Sequence, residues 1–323
     1  MVGNIFVIFA ICFDKKLRAS LMNLILVNLA IADLTNIIGC LPDIVHVFLT
    51  RWYLGDFVCR TVRFIQVFSV YASVLLQVAV CVERFIAIKY PMKSRMFHSG
   101  RRIAAILSTF WAIAGGFAGH NFFLNRVNDK QNCNLIHPLS LWYKLGEFLT
   151  FYVVPAVIFT ILYSIIAHIL WQSNQGMLSG QQDSSTSAGL IKKRKNVVRT
   201  LVACVVVYFI CYSPIQVNFL VRFFGGKLQF PLTVSLVLNA FTYMSSAANP
   251  MLYVICMPTF RAKFFACCYR LRSRHGSFAE PDSLATAQQQ TDSLLGRHGK
   301  RRCYNGGRYS RSPVREDEAK RLF

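Results

Sequence analysis

Seven long apolar stretches, separated by short polar segments, make up most of the chain. They lie near residues 1–13, 20–49, 57–88, 103–124, 140–171, 197–224 and 231–257. A helix needs about 20 apolar residues to cross the hydrocarbon core of a bilayer, and most of the stretches reach that length. The pattern therefore predicts an all-α membrane protein, built as a seven-transmembrane helix bundle.

The two ends of the chain depart from this pattern. The first stretch offers only about a dozen residues, so we expect residues 1–13 to form a truncated first helix. Beyond Tyr269 the composition shifts to Ser, Gln, Gly and Arg, which is typical of disorder. The expected domains are a seven-transmembrane domain over 1–257, a short amphipathic eighth helix over 258–269 and a disordered cytoplasmic tail over 270–323.

Basic residues mark the loops on one side of the predicted membrane. They are Lys15, Lys16, Arg18, Lys89, Lys93, Arg95, Arg101, Arg102 and the run from Lys192 to Lys195. Cytoplasmic loops carry an excess of Lys and Arg, so these loops and the tail are expected inside the cell. The amino terminus of this multi-pass protein is then expected outside the plasma membrane.

The third apolar stretch ends in an acid and a base side by side, Glu83 and Arg84. Cys59 precedes Arg84 by 25 positions. At about 1.5 Å per residue this separation is roughly 37 Å, enough to cross a core of about 30 Å. The third helix is therefore expected to carry a cysteine at its outer end and an arginine at its inner end.

Composition and motifs argue against several other classes of protein. Hydrophobic residues make up 54% of the chain and charged residues 15%, a balance that leaves a soluble domain with too much apolar surface. The net charge of +22 comes from basic residues in the loops and the tail, which do not form a stripe with interleaved aromatics. This pattern indicates loops that lie beside anionic lipid and argues against binding of nucleic acid. The sequence shows neither the motifs of an enzyme nor the internal repeats of a transporter or channel.

Short motifs follow one another along these stretches in a set order. They are Gly3-Asn4, Asn28-Leu29-Ala30-Ile31-Ala32-Asp33, Trp52-x-x-Gly55-x-x-x-Cys59, Glu83-Arg84-Phe85, Trp111, Pro155 with Tyr163, Cys211-Tyr212-Ser213-Pro214 and Asn249-Pro250-Met251-Leu252-Tyr253. In this order and spacing they resemble the motifs of rhodopsin-like, class A G-protein-coupled receptors. The resemblance covers almost the whole hydrophobic part of the chain.

The resemblance implies three kinds of structural site. Cys59 and Cys133 would form a disulfide on the oxidising side, with two free thiols as the alternative. Cys267 and Cys268 would carry palmitate, a second anchor for the eighth helix. A buried carboxylate needs a partner, and the implied sodium site, the one possible cofactor, consists of Asp33, Ser73, Ser246 and Asn249. The alternative is an Asp33 that is hydrogen-bonded to Asn249 and water.

The resemblance also implies a switch between an inactive and an active arrangement. Its expected residues are Glu83, Arg84, Tyr163, Tyr208, Tyr212, Pro214, Asn249, Pro250, Tyr253 and Gln77. Gln77 stands where relatives carry a large aliphatic residue, and an amide without a hydrogen-bond partner there would destabilise the inactive state. Two other departures from the family would also destabilise the inactive state. Arg194 replaces an acid that often pairs with the motif arginine, and Tyr212 replaces a tryptophan. The alternative is a Gln77 that is paired with a polar neighbour.

Candidate ligands follow from single positions. Opsins carry a lysine where this chain has Tyr243, which excludes retinal, and amine receptors carry an aspartate where it has Gln66, which argues against a monoamine. The stretch Cys59–Phe68 is similar to helix three of the vasopressin, oxytocin and gonadotropin-releasing-hormone branch. Charged and polar residues in the outer half favour a peptide. The expected ligand-binding residues are Asp43, His46, Arg63, Gln66, Glu147, Gln216, Phe219, Asn239 and Tyr243.

The implied function is that of a G-protein-coupled receptor. It would bind an extracellular neuropeptide and activate a heterotrimeric G protein by outward movement of helix six, with arrestin and a receptor kinase as further partners. Two alternatives stay open, a constitutively active orphan receptor and a truncated receptor that does not signal.

Overall fold

The computed structural model describes residues 1–49, 51–92, 100–129, 131–135, 141–178, 185–225 and 232–275. Helices account for most of these residues. In chain order they are α1 (Val2–Cys12), α2 (Lys15–Arg18), α3 (Leu21–Leu49), α4 (Gly55–Lys89), α5 (Gly100–Ala118), α6 (His120–Leu124), α7 (Leu141–Phe148), α8 (Val154–Leu178), α9 (Ser185–Phe223), α10 (Leu232–Cys256) and α11 (Pro258–His275).

Five segments of these helices are long and apolar enough to cross a membrane. They are Leu21–His46, Gly55–Lys89, Arg101–Leu124, Trp142–Ser173 and Arg194–Val221. The helix α1 is also apolar but has 11 residues, and α10 has 25 residues. The chain is therefore an all-α membrane protein, which confirms the prediction from the apolar pattern.

The helix α4 lies at the centre of the bundle. It packs against α3, α5, α8 and α9, while α10 packs against α1, α3 and α9. The helix α1 lies close to α10 at Gly3, where an added Cβ would meet Pro250 Cβ and Cγ at 2.9 Å. Glycine is thus the residue that lets these two helices touch.

Three prolines lie inside continuous helices. Pro42, Pro214 and Pro250 interrupt α3, α9 and α10, and each leaves one backbone carbonyl without its intrahelical partner. Pro155 stands at the start of α8, directly after a π-helical turn at Leu149–Val153. A π turn adds a residue to the helical repeat, so it rotates the side chains that follow it.

A short antiparallel hairpin covers one end of the bundle. Its strands are β1 (Asn125–Val127) and β2 (Cys133–Leu135), and Val127 pairs with Cys133. The backbone N–H of Val127 donates to Asp56 Oδ1 on α4 at 3.0 Å. This bond fixes the hairpin to the first turn of the central helix.

The helix α11 is longer than the sequence predicts. It ends at His275, beyond the expected end at 269, because no glycine or proline interrupts it before Gly276. Residues 270–275 of the expected tail are therefore helical, and its remainder, 276–323, lies outside the described residues. Lys263 on α11 forms an ion pair with Asp14, which ties this helix to the segment before α2.

Candidate functional site

A cavity of about 690 Å³ opens between α3, α4, α7, α9, α10 and the π turn. This volume is in the range of binding sites for small ligands or for the end of a larger one. Five of the residues expected to bind ligand line it: Gln66, Glu147, Gln216, Phe219 and Tyr243. They come from four different helices, so the fold brings together positions that are far apart in sequence.

Gln66 is the centre of a polar cluster at the wall of this cavity. Its Nε2 donates to Asp43 Oδ2 at 2.7 Å and to the carbonyl of Gly39 at 2.9 Å, and lies 3.4 Å from the Tyr243 hydroxyl. Arg63 Nη1 donates to Asp43 Oδ2 at 2.9 Å and to Gln66 Oε1 at 3.1 Å. Asp43 and Arg63 are therefore held behind Gln66, outside the lining of the cavity.

His46, a further predicted ligand residue, stands apart from the lining. The His46 ring packs edge-on against Trp52, with ring centroids 5.8 Å apart. The side chain of Asn239 lies outside the described residues.

Glu147 forms a second polar group in the cavity. The Tyr71 hydroxyl donates to Glu147 Oε1 at 2.6 Å, and His120 Nε2 lies 3.9 Å from the same oxygen. The Tyr71 ring stacks on Phe151 with centroids 3.8 Å apart. The carboxylate is thus held beside an aromatic wall.

Several residues of the cavity and its wall were missed in the sequence, and four of them contribute polar or aromatic groups that matter here. Tyr71, Phe151 and Asn36 line the cavity, and His120 supports Glu147. The helical repeat could have found Asn36, one turn after Asp33.

Asp33 lies in a second, fully internal cluster. Asn249 Nδ2 donates to Asp33 Oδ2 at 2.8 Å, and the Ser73 hydroxyl donates to Oδ1 at 3.2 Å. Ser246 is beside this carboxylate, and its Oγ accepts a hydrogen bond from Asn36 Nδ2 at 3.0 Å. One carboxylate and two hydroxyl oxygens suit a hard cation such as sodium. Asn249 presents its amide nitrogen to Asp33, as the hydrogen-bonded alternative expects, so it serves here as a donor.

Arg84 is held by its neighbour at the opposite end of α4 from the disulfide. Arg84 Nη2 donates to Glu83 Oε1 at 2.6 Å, and Arg84 Nε donates to Glu83 Oε2. Arg84 and Arg194 both line a cavity of about 450 Å³ at this end. The guanidinium groups of Arg84 and Arg194 therefore border this cavity, and Glu83 neutralises the charge of Arg84.

Gln77 is buried in the middle of the bundle. With Tyr163 and Tyr253 it lines a cavity of about 10 Å³, close to the space that one water molecule needs. Within the described residues, Gln77 Oε1 and the Tyr253 hydroxyl have no hydrogen-bond partner. Tyr208 and Tyr212 lie elsewhere, in the lining of the large cavity with ring centroids 4.6 Å apart.

Cys59 and Cys133 form a disulfide between α4 and β2, as the resemblance implies. Arg63 Nη2 reaches the Cys133 carbonyl at 3.4 Å, which links the disulfide to the polar cluster around Gln66. Cys267 on α11 is an exposed free thiol, and the side chain of Cys268 lies outside the described residues. Palmitate on either residue stays a prediction.

The chain is similar in sequence to known receptors. The family model described as 7 transmembrane receptor (rhodopsin family) matches residues 3–253. Neuropeptide receptor 15 of Caenorhabditis elegans is 36% identical over 291 residues, which cover 81% of this chain and 84% of that receptor. The Allatostatin-A receptor of Bombyx mori is 29% identical over 277 residues, covering 82% of this chain and 74% of that receptor. Galanin receptor type 2 of Mus musculus is 27% identical over 286 residues, covering 84% and 74%.

Proposed function

The chain belongs to the rhodopsin family of seven-transmembrane receptors, and from this premise we propose that it binds an extracellular peptide and activates a heterotrimeric G protein. The observation that carries the proposal is the cavity of about 690 Å³, which combines charged, amide and aromatic side chains. Relatives named as neuropeptide, allatostatin-A and galanin receptors support a peptide as the ligand.

The peptide enters from the side of the membrane that carries the disulfide. The pairing of Cys59 with Cys133 supports this orientation, because disulfides persist in oxidising surroundings. The basic loops at the other end of the helices support a cytoplasmic location for that end, in the plasma membrane. The cavity holds the end of a peptide, while the rest of a longer ligand stays outside.

Activation proceeds by a shift between two arrangements of the helices. A ligand that contacts α4, α9 and α10 more favourably in the active arrangement increases its population. The inner half of α9 then swings outward about Pro214, which widens the cavity beside Arg84 for the G protein. Release of Arg84 from Glu83 lets the guanidinium contact Tyr163 and Tyr253.

Further partners follow from the family. A sodium ion at Asp33, Ser73 and Ser246 would stabilise the inactive arrangement by holding three oxygens of α3, α4 and α10 together. Receptor kinases and arrestin would act on the tail after α11, and palmitate on Cys267 would add a lipid anchor.

Ligand-independent signalling is a second candidate function. It is favoured by the two unpartnered polar atoms in the middle of the bundle, Gln77 Oε1 and the Tyr253 hydroxyl. Unsatisfied buried groups destabilise the arrangement that contains them. The cavity between these two groups, about 10 Å³, is at the lower limit for one water molecule, whereas an open core would admit water freely. The receptor would then signal at a high basal level, and a peptide would modulate that level.

Cell-surface expression combined with a second-messenger assay tests the proposed function. Cells that express the chain are treated with a panel of amidated neuropeptides, and the second messenger is normalised to the surface receptor. A peptide-dependent rise is expected for at least one member of the panel. A chain that reaches the surface and changes no second messenger, with or without peptide, contradicts the proposal.

A further inference from the structure

A buried amide oxygen at the inner end of the large cavity accepts no hydrogen bond from the described residues. Asn36, on α3, is 1% exposed and lines the cavity, and its Oδ1 has no hydrogen-bond partner. It lies one helical turn from Asp33, whereas Asp43 is seven residues, or about 10 Å, farther along α3. Asn36 is therefore at the deep end and the cluster around Gln66 is nearer the opening.

The orientation of the Asn36 amide is set by its neighbours. Asn36 Nδ2 donates to Ser246 Oγ at 3.0 Å. An amide nitrogen only donates, so the hydroxyl oxygen is the acceptor in this bond. With its nitrogen engaged in this way, Asn36 presents its carbonyl oxygen to the cavity.

Other polar groups at the deep end already have partners. The Tyr208 hydroxyl donates to the carbonyl of Phe151 at 3.1 Å, and Tyr212 hydrogen bonds to Ser245. Among the described residues that line the cavity, the buried side-chain atoms without a partner are two amide oxygens, those of Asn36 and Asn218. Both are acceptors, so a ligand that completes this surface has to bring N–H or O–H donors.

The charge of that donor also follows from the surroundings. The side chains around the deep end are the neutral groups of Asn36, Tyr208, Tyr212 and Thr242. An ammonium group would lose its hydration there without a facing carboxylate, since Asp33 is occupied by its own donors. A free carboxylate would face Asn36 Oδ1, another acceptor, and could form no hydrogen bond with it. A neutral amide satisfies the oxygen at the smallest desolvation cost.

We propose that Asn36 recognises the terminal carboxamide of a peptide, whose N–H donates to Asn36 Oδ1 at the deep end of the cavity. This inference rests on the proposed function and names the part of the ligand that reaches deepest. The hydrogen bond from Asn36 Nδ2 to Ser246 Oγ polarises the amide group, which strengthens Asn36 Oδ1 as an acceptor. The amide end of the ligand is thereby joined to the Asp33 cluster.

The test uses the purified full chain and two matched probes. A pool of synthetic hexapeptides is prepared once with terminal carboxamides and once with free carboxylates. Binding of each pool is measured as the peptide concentration that gives half-maximal thermal stabilisation of the receptor. The wild-type chain is expected to bind the carboxamide pool about tenfold more tightly or better, the effect of one hydrogen bond to a buried group.

Two variants remove the acceptor Asn36 Oδ1 from the cavity, and one control variant keeps it. Asn36→Leu keeps much of the volume and has no polar atom, and Asn36→Ser is too short to face both Ser246 and the cavity. Either variant that folds is expected to lose most of the preference for the carboxamide pool. Thr35→Val, next in sequence, removes an exposed hydroxyl bonded to the Ile31 carbonyl of its own helix, and is expected to keep the preference.

Three outcomes would overturn the proposal. They are equal binding of the two pools, a preference that survives in Asn36→Leu and Asn36→Ser, and stabilisation by neither pool. Nucleotide exchange on a heterotrimeric G protein is measured on the same preparation without peptide and with each pool. Exchange driven by the chain while the pools fail to bind contradicts only the carboxamide assignment, whereas binding without any exchange contradicts the proposed function.

Discussion

Gln66 Nε2 on α4 lies 2.7 Å from Asp43 Oδ2 on α3, and the same nitrogen faces the Tyr243 hydroxyl on α10 at 3.4 Å. One amide thus connects three helices at the wall of the large cavity. A ligand that competes for Gln66 changes the contacts between these helices. We therefore propose Gln66 as the point at which ligand binding most directly affects the helix arrangement.

Replacement of Gln66 by alanine tests this role. Gln66→Ala leaves Asp43 and Arg63 without their shared partner, so agonist potency is expected to fall about tenfold or more at unchanged surface expression. Potency is measured as the half-maximal peptide concentration in the second-messenger assay. Thr61→Val, which removes an exposed hydroxyl bonded to the Phe57 carbonyl, is the control. Wild-type potency in Gln66→Ala would place the binding site elsewhere.

The parts of the fold that were predictable are those that the membrane dictates. A spanning helix has to be long and apolar, and its motifs mark fixed positions, so the sequence located the helices, the disulfide and the group around Asp33. Asp43, Arg63 and Gln66 were predicted as ligand-binding residues because ionisable groups in a membrane helix are candidates for function, whereas their hydrogen bonds to one another are seen only in the structure.

The aromatic wall of the cavity was not predictable in the same way. Tyr71 lies in a mostly apolar stretch of α4, where sequence alone does not separate lipid-facing from cavity-facing positions. Phe151 lies within the π turn, which changes the helical register. The contact between Tyr71 and Glu147 joins residues 76 positions apart, and only the packing of α4 against the π turn and α7 brings them together.

Gln77 offers a test of ligand-independent signalling. Gln77→Leu removes a buried unpartnered oxygen and restores an apolar contact, which stabilises the inactive arrangement. A difference of about 1.4 kcal/mol between the arrangements would lower basal signalling about tenfold. Basal second messenger per surface receptor is measured without ligand. Gln172→Leu makes the same chemical change at an exposed position, and an unchanged or higher basal level in Gln77→Leu would refute the second candidate function.

The close approach of α1 to α10 predicts a strict requirement at Gly3. Gly3→Ala places a Cβ 2.9 Å from two atoms of the rigid Pro250 ring. Overpacking of this kind costs about 1–3 kcal/mol, so a lower melting temperature and less surface receptor are expected. Gly116→Ala in α5 is the matched control, because its Cβ meets nothing within 4 Å. Equal stability of the two variants would contradict the helix contact.

The tail is expected to separate arrestin binding from G-protein activation. The chain truncated after Tyr269 loses the last six residues of α11 together with the candidate kinase sites, which are Ser273 at the end of that helix and Ser277, Ser283, Thr286, Thr291 and Ser293. Phosphates on these residues would give arrestin acidic points to bind. Peptide-stimulated arrestin recruitment should fall while G-protein activation is kept, as followed in parallel by two proximity assays. Undiminished recruitment would remove the tail from this role.

The central claim is that this receptor activates a G protein through Arg84. The direct measurement is nucleotide exchange on a purified heterotrimeric G protein, driven by the reconstituted chain with its agonist peptide. Arg84→Ala should reduce agonist-stimulated exchange at least about tenfold while peptide binding is kept, because the guanidinium contacts that stabilise the active arrangement are lost. Arg101→Ala, at an exposed arginine on the same end of the bundle, should leave exchange unchanged. Exchange by Arg84→Ala at the wild-type rate would contradict the account.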